Sequence, residues 1–313
     1  MEKGIKHGKS FKNKRSRRSY SSKKCNEIYI KNINREILDI IEDLKATLEF
    51  GTGLGMGNPL HYRNKAQYPI GINKNEEPVI GVFANRTHEV IPMEKCLIQN
   101  PISEEIAKTV LEFIKKNKIS VYNEKTVKGL FRHIVIKIGI KTNEVMCILV
   151  INGNEIPKEN ELVEILTQKY PNIKTIVKNI NIKNTNVILG KENVNIYGNG
   201  YIEDKLGEYT FKISPLSFYQ VNPVQAERLY NIGVKAAKIT KKDTVFDLYY
   251  GIGTISLFMA KYAKKVYGVE IVEQAIRDLA KVEEVYEVKE IQPIDMFPFT
   301  GHVECVIVLR LKL

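Results

Sequence analysis

The chain has 313 residues, enough for about two domains, and its 43% apolar and 27% charged content is that of an ordinary soluble protein. Its formal charge is +12, and its four cysteines (Cys25, Cys96, Cys147, Cys305) form no CxxC pair, which favours the reduced cytoplasm over a disulfide framework. No run approaches the roughly 18 to 20 apolar residues of a membrane helix, and the basic N-terminus has no apolar region behind it, so neither a membrane span nor a secretory signal is expected.

Residues 1–24 hold ten Lys or Arg against one Glu, a net of +9 that leaves only +3 for the remainder. Such a tail is expected to be disordered alone and to neutralise phosphates by counterion release, although a solvated extension without a partner has the same composition. Residues 25–57 read as a helical segment, with helical spacing over Arg35–Leu48, followed by the glycine-rich connector Gly51–Asn58. HYRNKAQYPIGI at 61–72 interleaves Arg63, Lys65 and Gln67 with tyrosines, which suits a surface that grips phosphates and stacks bases. A twisted strand with one polar face accounts for the same spacing.

Short strands continue over 78–92, and a helix is expected to be capped by Ser103 and closed by Lys115 and Lys116. Phe131–Ile140 and Glu144–Ile151 read as a hairpin, with Arg132 and His133 at its start. A helix near Glu159–Lys169 and a strand near Ile173–Val177 follow. SPLSFYQVNP then forms a loop, with Asn222 as a cap and Pro223 in the first turn of the next helix.

TVFDLYYGIGTISLFMAKYAKKVYGVE (244–270) reads as strand, tight turn, helix, strand. The apolar Val245, Phe246, Leu248 and Tyr249 predict a strand buried on both faces. Gly251 and Gly253 permit a sharp turn close to a ligand, and Glu270 stands 19 residues after Gly251, near the spacing at which an acid meets ribose hydroxyls. Ser256 stands where a dinucleotide fingerprint needs a third small residue for helix packing, so S-adenosylmethionine fits the turn better than a nicotinamide dinucleotide. Glycines kept for steric reasons alone remain the alternative.

Together these stretches resemble the RNA uracil-5-methyltransferases, which make 5-methyluridine in transfer and ribosomal RNA. The likeness is carried by HYRNKAQYPIG (61–71), GLFRHIVI (129–136), NTNVILG (184–190), SPLSFYQVNPVQAERLY (214–230), FDLYYGIGTISLF (246–258), VYGVEIVEQAI (266–276) and EIQPIDMFPFTGHVE (290–304). It implies an α/β protein: a β-rich RNA-contacting domain over 58–210, then a truncated class I methyltransferase domain over 211–313. It implies S-adenosylmethionine contacts from Gln220, Tyr249, Gly251, Gly253, Thr254 and Glu270, and RNA contacts from Arg63, Lys65, Gln67 and Arg132. Thr254 stands where many members have Asn, and Tyr250 where many have Cys.

The family's chemistry needs a Cys thiolate to add at uracil C6, because C5 is otherwise a poor nucleophile, and then a base to take the C5 proton. Glu304 matches the proton-abstracting glutamate. The DPPRKGC-type loop that carries the nucleophile has no counterpart: EIVEQAI runs into RDLAKVEEVYEVKEIQP as though an internal segment after Ile276 were deleted. Cys305 lies in the strand-like VECVIVL and reads as packing. The resemblance therefore implies an RNA methyltransferase that is inactive as written, or a catalytically dead RNA-binding remnant, and a nicotinamide dehydrogenase is a distant third. The basic tail stands where many members have a small β-barrel, and Cys96 resembles a lone cluster ligand without its three partners. A cytoplasmic monomer with no metal and no iron–sulfur cluster is expected.

Overall fold

The computed structural model of the protein describes residues 54–248 except Asn85, Arg86 and Glu94, then 253–269, 286–294 and 304–311; for Leu248, Gly268, Val269 and the last two segments it describes the backbone alone. The basic tail, the helix expected over Arg35–Leu48, and Tyr249, Gly251 and Glu270 lie outside these residues, as does the stretch just after Ile276.

The strands β1 (Lys65–Ile72), β2 (Pro78–Phe83), β3 (Val90–Pro92), β4 (Phe131–Ile138), β5 (Val145–Ile151), β6 (Ile173–Ile180) and β7 (Glu192–Gly198) form one mixed sheet in the order β3-β2-β1-β4-β5-β6-β7. The expected hairpin is β4–β5, paired antiparallel from Phe131↔Ile151 to Ile138↔Val145. The β5–β6 pair is parallel, and helix α2 (Glu159–Lys169) makes the crossover that a parallel pair requires.

Helix α1 (Pro101–Lys116) starts earlier than its sequence suggests. Asn100, not Ser103, is the cap: its side-chain oxygen accepts from the Ile102 amide at 3.2 Å. Pro101 occupies the first turn, where its missing N–H costs nothing, and Ser103 is buried inside the helix.

Both faces of the sheet are covered, so β4 and β5 are buried at every position instead of alternating. On one face, Tyr68, Ile134, Ile136 and Leu149 pack with Ile106, Val110 and Phe113 of α1 and Leu162 and Leu166 of α2. On the other, Val135, Met146, Ile148 and Val177 pack with the hairpin β8 (Ile202–Leu206)–β9 (Tyr209–Ile213) and with Ala226, Tyr230 and Val234 of helix α3 (Pro223–Ala236). The hairpin β8–β9 spans residue 210. Asn222 caps α3 as expected, accepting from the Gln225 amide at 3.1 Å.

Strand β10 (Thr244–Leu248), helix α4 (Thr254–Ala260) and strand β11 (Lys265–Val269) form the expected βαβ unit, with β10 and β11 parallel. Burial of β10 on both faces is not what the structure has. Phe246 is 63% exposed and stacks on Tyr267, ring centres 5.2 Å apart, because the described sheet around it has only these two strands. Strands β12 (Tyr286–Ile294) and β13 (Glu304–Leu311) pair as an antiparallel hairpin, with β13 beside α3. No described helix is long and apolar enough to cross a membrane.

Asn179 shows how the sheet ends toward β7. It is fully buried, its amide nitrogen donates to the Gly190 and Glu192 carbonyls at 2.9 and 3.2 Å, and its oxygen accepts from the Gly190 amide at 2.7 Å. Asn179→Leu keeps the volume but orphans these backbone groups, and is expected to cost about 1–3 kcal/mol, read as a lower urea midpoint with unchanged slope.

Candidate functional site

The sequence stretches at 61–71 and 214–230 meet through Asn64. This side chain is 3% exposed; its amide nitrogen donates to the Gln220 carbonyl at 3.0 Å, and its backbone N–H donates to Val221 O at 3.0 Å. Its own carbonyl accepts from the Ile138 amide at 2.8 Å, which ties the start of β1 to the end of β4 as well. One buried residue thus fixes where the FYQVN loop crosses the sheet.

Lys137 makes the second tie. Its ammonium group donates to the carbonyls of Ser214 and Ser217 at 2.8 and 2.9 Å, and the two serine hydroxyls lie 2.6 Å apart. Burial, and then the nearby Lys65 charge, push the Lys137 pKa down to about 7. Between the two ties the loop presents Phe218, 69% exposed, above a small crevice of about 50 Å³ lined also by Lys65, Lys137 and Tyr219. That volume takes little more than a water, so the crevice itself is not a cofactor site. Phe218, Asn64 and Lys137 were not among the site residues expected from sequence. An aromatic set between two prolines was the one available signal for Phe218.

On the methyltransferase side, Gln220 is half-buried in the loop, and Gly253 takes the left-handed conformation (φ +78°) directly before α4. The Thr254 hydroxyl lies 3.0 Å from that of Tyr230, which docks the start of α4 on α3. The Ser256 hydroxyl donates to Asp247 at 2.5 Å, locking β10 to α4. Glu304 begins β13 opposite Ile294; its side chain is not among those described.

Of the residues expected to contact RNA, Lys65 and Gln67 stand on one face of β1, alternating with Ala66, Tyr68 and Ile70 that enter the core on the other. Arg63 lies just before them and is half-buried. Arg132 differs. It is 2% exposed, donates to the carbonyls of Asn181 and Lys183 at 2.8 Å each, and stacks 4.1 Å over Tyr122. Its guanidinium holds the loop after β6. Cys147 is fully buried in β5, and burial pushes its thiol pKa up to about 12, so it packs and does not attack.

No family model matches the chain. It is 47% identical over 239 residues to an uncharacterized RNA methyltransferase of Caldanaerobacter subterraneus, covering 76% of this chain and 53% of that protein. It is 37% identical over 333 residues to one of Clostridium acetobutylicum, covering 82% and 72%. A third, of Staphylococcus aureus, is 44% identical over 225 residues, covering 72% and 50%. The chain thus spans about half the length of the first and third of these relatives. Among solved structures it shares its fold with Pyrococcus abyssi tRNA (uracil-54, C5)-methyltransferase in complex with S-adenosyl-L-homocysteine, with a TM-score of 0.67 at 21% identity, over 93% of this chain and 84% of that one.

The buried Lys137 makes stability depend on pH. Its pKa falls from an ordinary 10.5 to about 7 on folding, so between these values the unfolded chain holds the extra proton. The stabilisation is complete above about pH 10.5 and is lost as pH falls toward 7. Lys137→Met is expected to flatten the rise in unfolding free energy between pH 7 and 10, measured by urea titrations in a series of buffers.

Proposed function

We propose a function on one premise: the chain belongs to the RNA methyltransferase family of the relatives it matches. The family reaction on this reading is methyl transfer from S-adenosylmethionine to C5 of a uridine in ribosomal or transfer RNA; this chain is a cytoplasmic, monomeric member that keeps the binding surfaces but not the full chemistry. The observation that carries this reading is the staple of Asn64 to Gln220 and Val221, which sets the basic–aromatic stretch against the loop leading into the βαβ unit.

The left-handed Gly253 opens the backbone at the turn, as close approach of a ligand there requires, and this fits S-adenosylmethionine. Gln220, Gly253 and Thr254 would hold it, with Tyr249, Gly251 and Glu270 completing the set from sequence. When bound, it supplies an electrophilic methyl group. Arg63, Lys65 and Gln67 would grip the RNA backbone, and the target base must leave its stack to reach the loop. Glu304 would take the C5 proton.

The step this chain lacks is the thiolate addition at C6. Cys147 is sealed in the sheet, and none of the four cysteines stands in the family's nucleophile motif. We therefore assign the chain as written to RNA binding without turnover, the barrier having lost its covalent route. Purified protein incubated with labelled S-adenosylmethionine and unmodified RNA is expected to leave uracil C5 unlabelled; transfer that disappears in Cys305→Ser would overturn this.

Binding itself is tested separately. Affinity for single-stranded RNA should fall steeply with salt, and Lys65→Ala should lower the slope of log K against log salt by about 0.7, the share of one phosphate contact. Removal of residues 1–24 should lower it further. Salt-independent binding, or none, would refute the assignment to RNA.

A further inference from the structure

A second cavity, of about 290 Å³, opens on the same face of the sheet but away from the FYQVN loop. It is lined by Phe83 of β2, His88, His133 of β4, Glu124, and Asn186 and Val187 of the loop after β6. Three observations say that it is built to receive something. The aromatic rings are set edge to face: Phe83 lies 5.5 Å from His88 at 82° and 6.0 Å from His133 at 86°. His133, which lines the cavity, is 3% exposed, yet its buried Nδ1 has no hydrogen-bond partner. The rim, by contrast, is open, with Phe83 37% and Val187 63% exposed.

The position of the cavity narrows its ligand. Across the β1–β4 pair, Pro69 faces His133, Gln67 faces Val135 and Lys65 faces Lys137, so one row leads from the cavity past Gln67 to the crevice under Phe218. His133 and Lys137 are four residue steps apart along the strand, about 13 Å at 3.3 Å per residue. A polyanion laid along Lys65 and Gln67 toward the loop would pass the cavity mouth. We propose that this cavity binds one unstacked nucleobase of the RNA strand, flanking the target position, which lies against Phe83 and His88 and hydrogen-bonds to His133.

The chemistry matches an uncharged heterocycle. Burial, and then the adjacent Arg132 charge, hold the His133 pKa down to about 4, so the ring is neutral and its unpartnered Nδ1 offers one donor or one acceptor, by tautomer, to a heterocycle. Glu124, with its carboxylate 3.5 Å from Arg132, disfavours a phosphate at the same place. The volume is at the small end for ligand sites, matched to a single ring system and not to a folded peptide. Arg132 therefore serves the RNA indirectly: it positions the loop that carries Asn186 and Val187 and keeps His133 neutral.

This inference rests on the RNA-binding reading above, and one experiment separates the two. Full-length protein, Phe83→Ala and His88→Ala are titrated with a short uridine-containing single-stranded RNA, and with the same strand bearing one abasic ribose at each position in turn, at several salt concentrations. Both side chains are at the surface, and circular dichroism checks that each variant folds. Phe83→Ala is expected to weaken binding about tenfold with an unchanged salt slope, His88→Ala somewhat less. An abasic site beside the target should weaken wild type but not Phe83→Ala. Unchanged affinity in both folded variants, a changed salt slope, or an equal loss on every abasic strand would overturn the base pocket while leaving RNA binding intact. Failure of the wild-type protein to bind RNA would overturn both.

Discussion

The placement of the loop that enters the βαβ unit depends on a buried amide. Asn64 is buried, so its polar groups must bond to the chain, and two segments supply the partners: Gln220 and Val221 on the loop, Ile138 at the end of β4. A side chain of another shape would leave the Gln220 carbonyl without its donor. Lys137 works in the same way from the other end, with Ser214 and Ser217 as acceptors. The segment between them is held at both ends, and Phe218 projects from it. Tyr219 beside it is buried in the core, so the loop presents the Phe218 ring at a fixed height.

The sheet gives that loop a rigid floor. Its central strands are buried on both faces, which in a mixed sheet requires cover from two directions: α1 and α2 on one side, the β8–β9 hairpin with α3 on the other. The polar residues of β1 and β4 that face the second side are therefore confined to where this cover stops. Lys65 and Gln67 of β1, half-buried, form that margin beside the buried Lys137 and His133 of β4. A basic and amide-bearing row at the edge of a hydrophobic contact is a surface of fixed register, because a slip of one residue would send Lys65 and Gln67 into the core.

Much of this was legible in the sequence, and the reasons for the rest are specific. The β4–β5 hairpin, the α2 crossover, the Asn222 cap and the parallel β10–β11 pair each follow from local pattern, and the structure has them. The start of α1 was misplaced because Ser103 is also a good cap, and only the Asn100–Ile102 contact decides between them. Arg132 is expected to contact RNA only through the family resemblance, and its burial is not legible in the sequence. What buries it is the carbonyl pair of Asn181 and Lys183, about fifty residues further on, and such long-range partners leave no mark near Arg132. The cavity at His133 was invisible for the same reason, since its walls come from four separate segments.

Among the described residues, the βαβ unit is anchored to the rest by the Phe258 ring, by the Thr254–Tyr230 hydroxyl contact and by the Lys261–Glu208 ion pair. Phe258 of α4 is 7% exposed and sits against Tyr209 and Tyr230, with ring centres 5.8 and 5.4 Å away. Gly207, at φ +61°, passes so close that a Cβ there would meet the Phe258 ring at 3.0 Å, so the β8–β9 turn is shaped to admit it. Phe246 and Tyr267, on the two strands, stack on each other and stay exposed, with the Lys265 ammonium 4.4 Å over the tyrosine ring. Aromatic side chains are far more often placed where their area is buried, and a parallel sheet is ordinarily covered on both faces. The strands here carry the composition of a covered sheet without the described cover, whereas α4 carries its own anchor. It follows that the paired β10 and β11 are seated on the rest of the described chain through α4, where Phe258 and Thr254 meet the β8–β9 hairpin and α3.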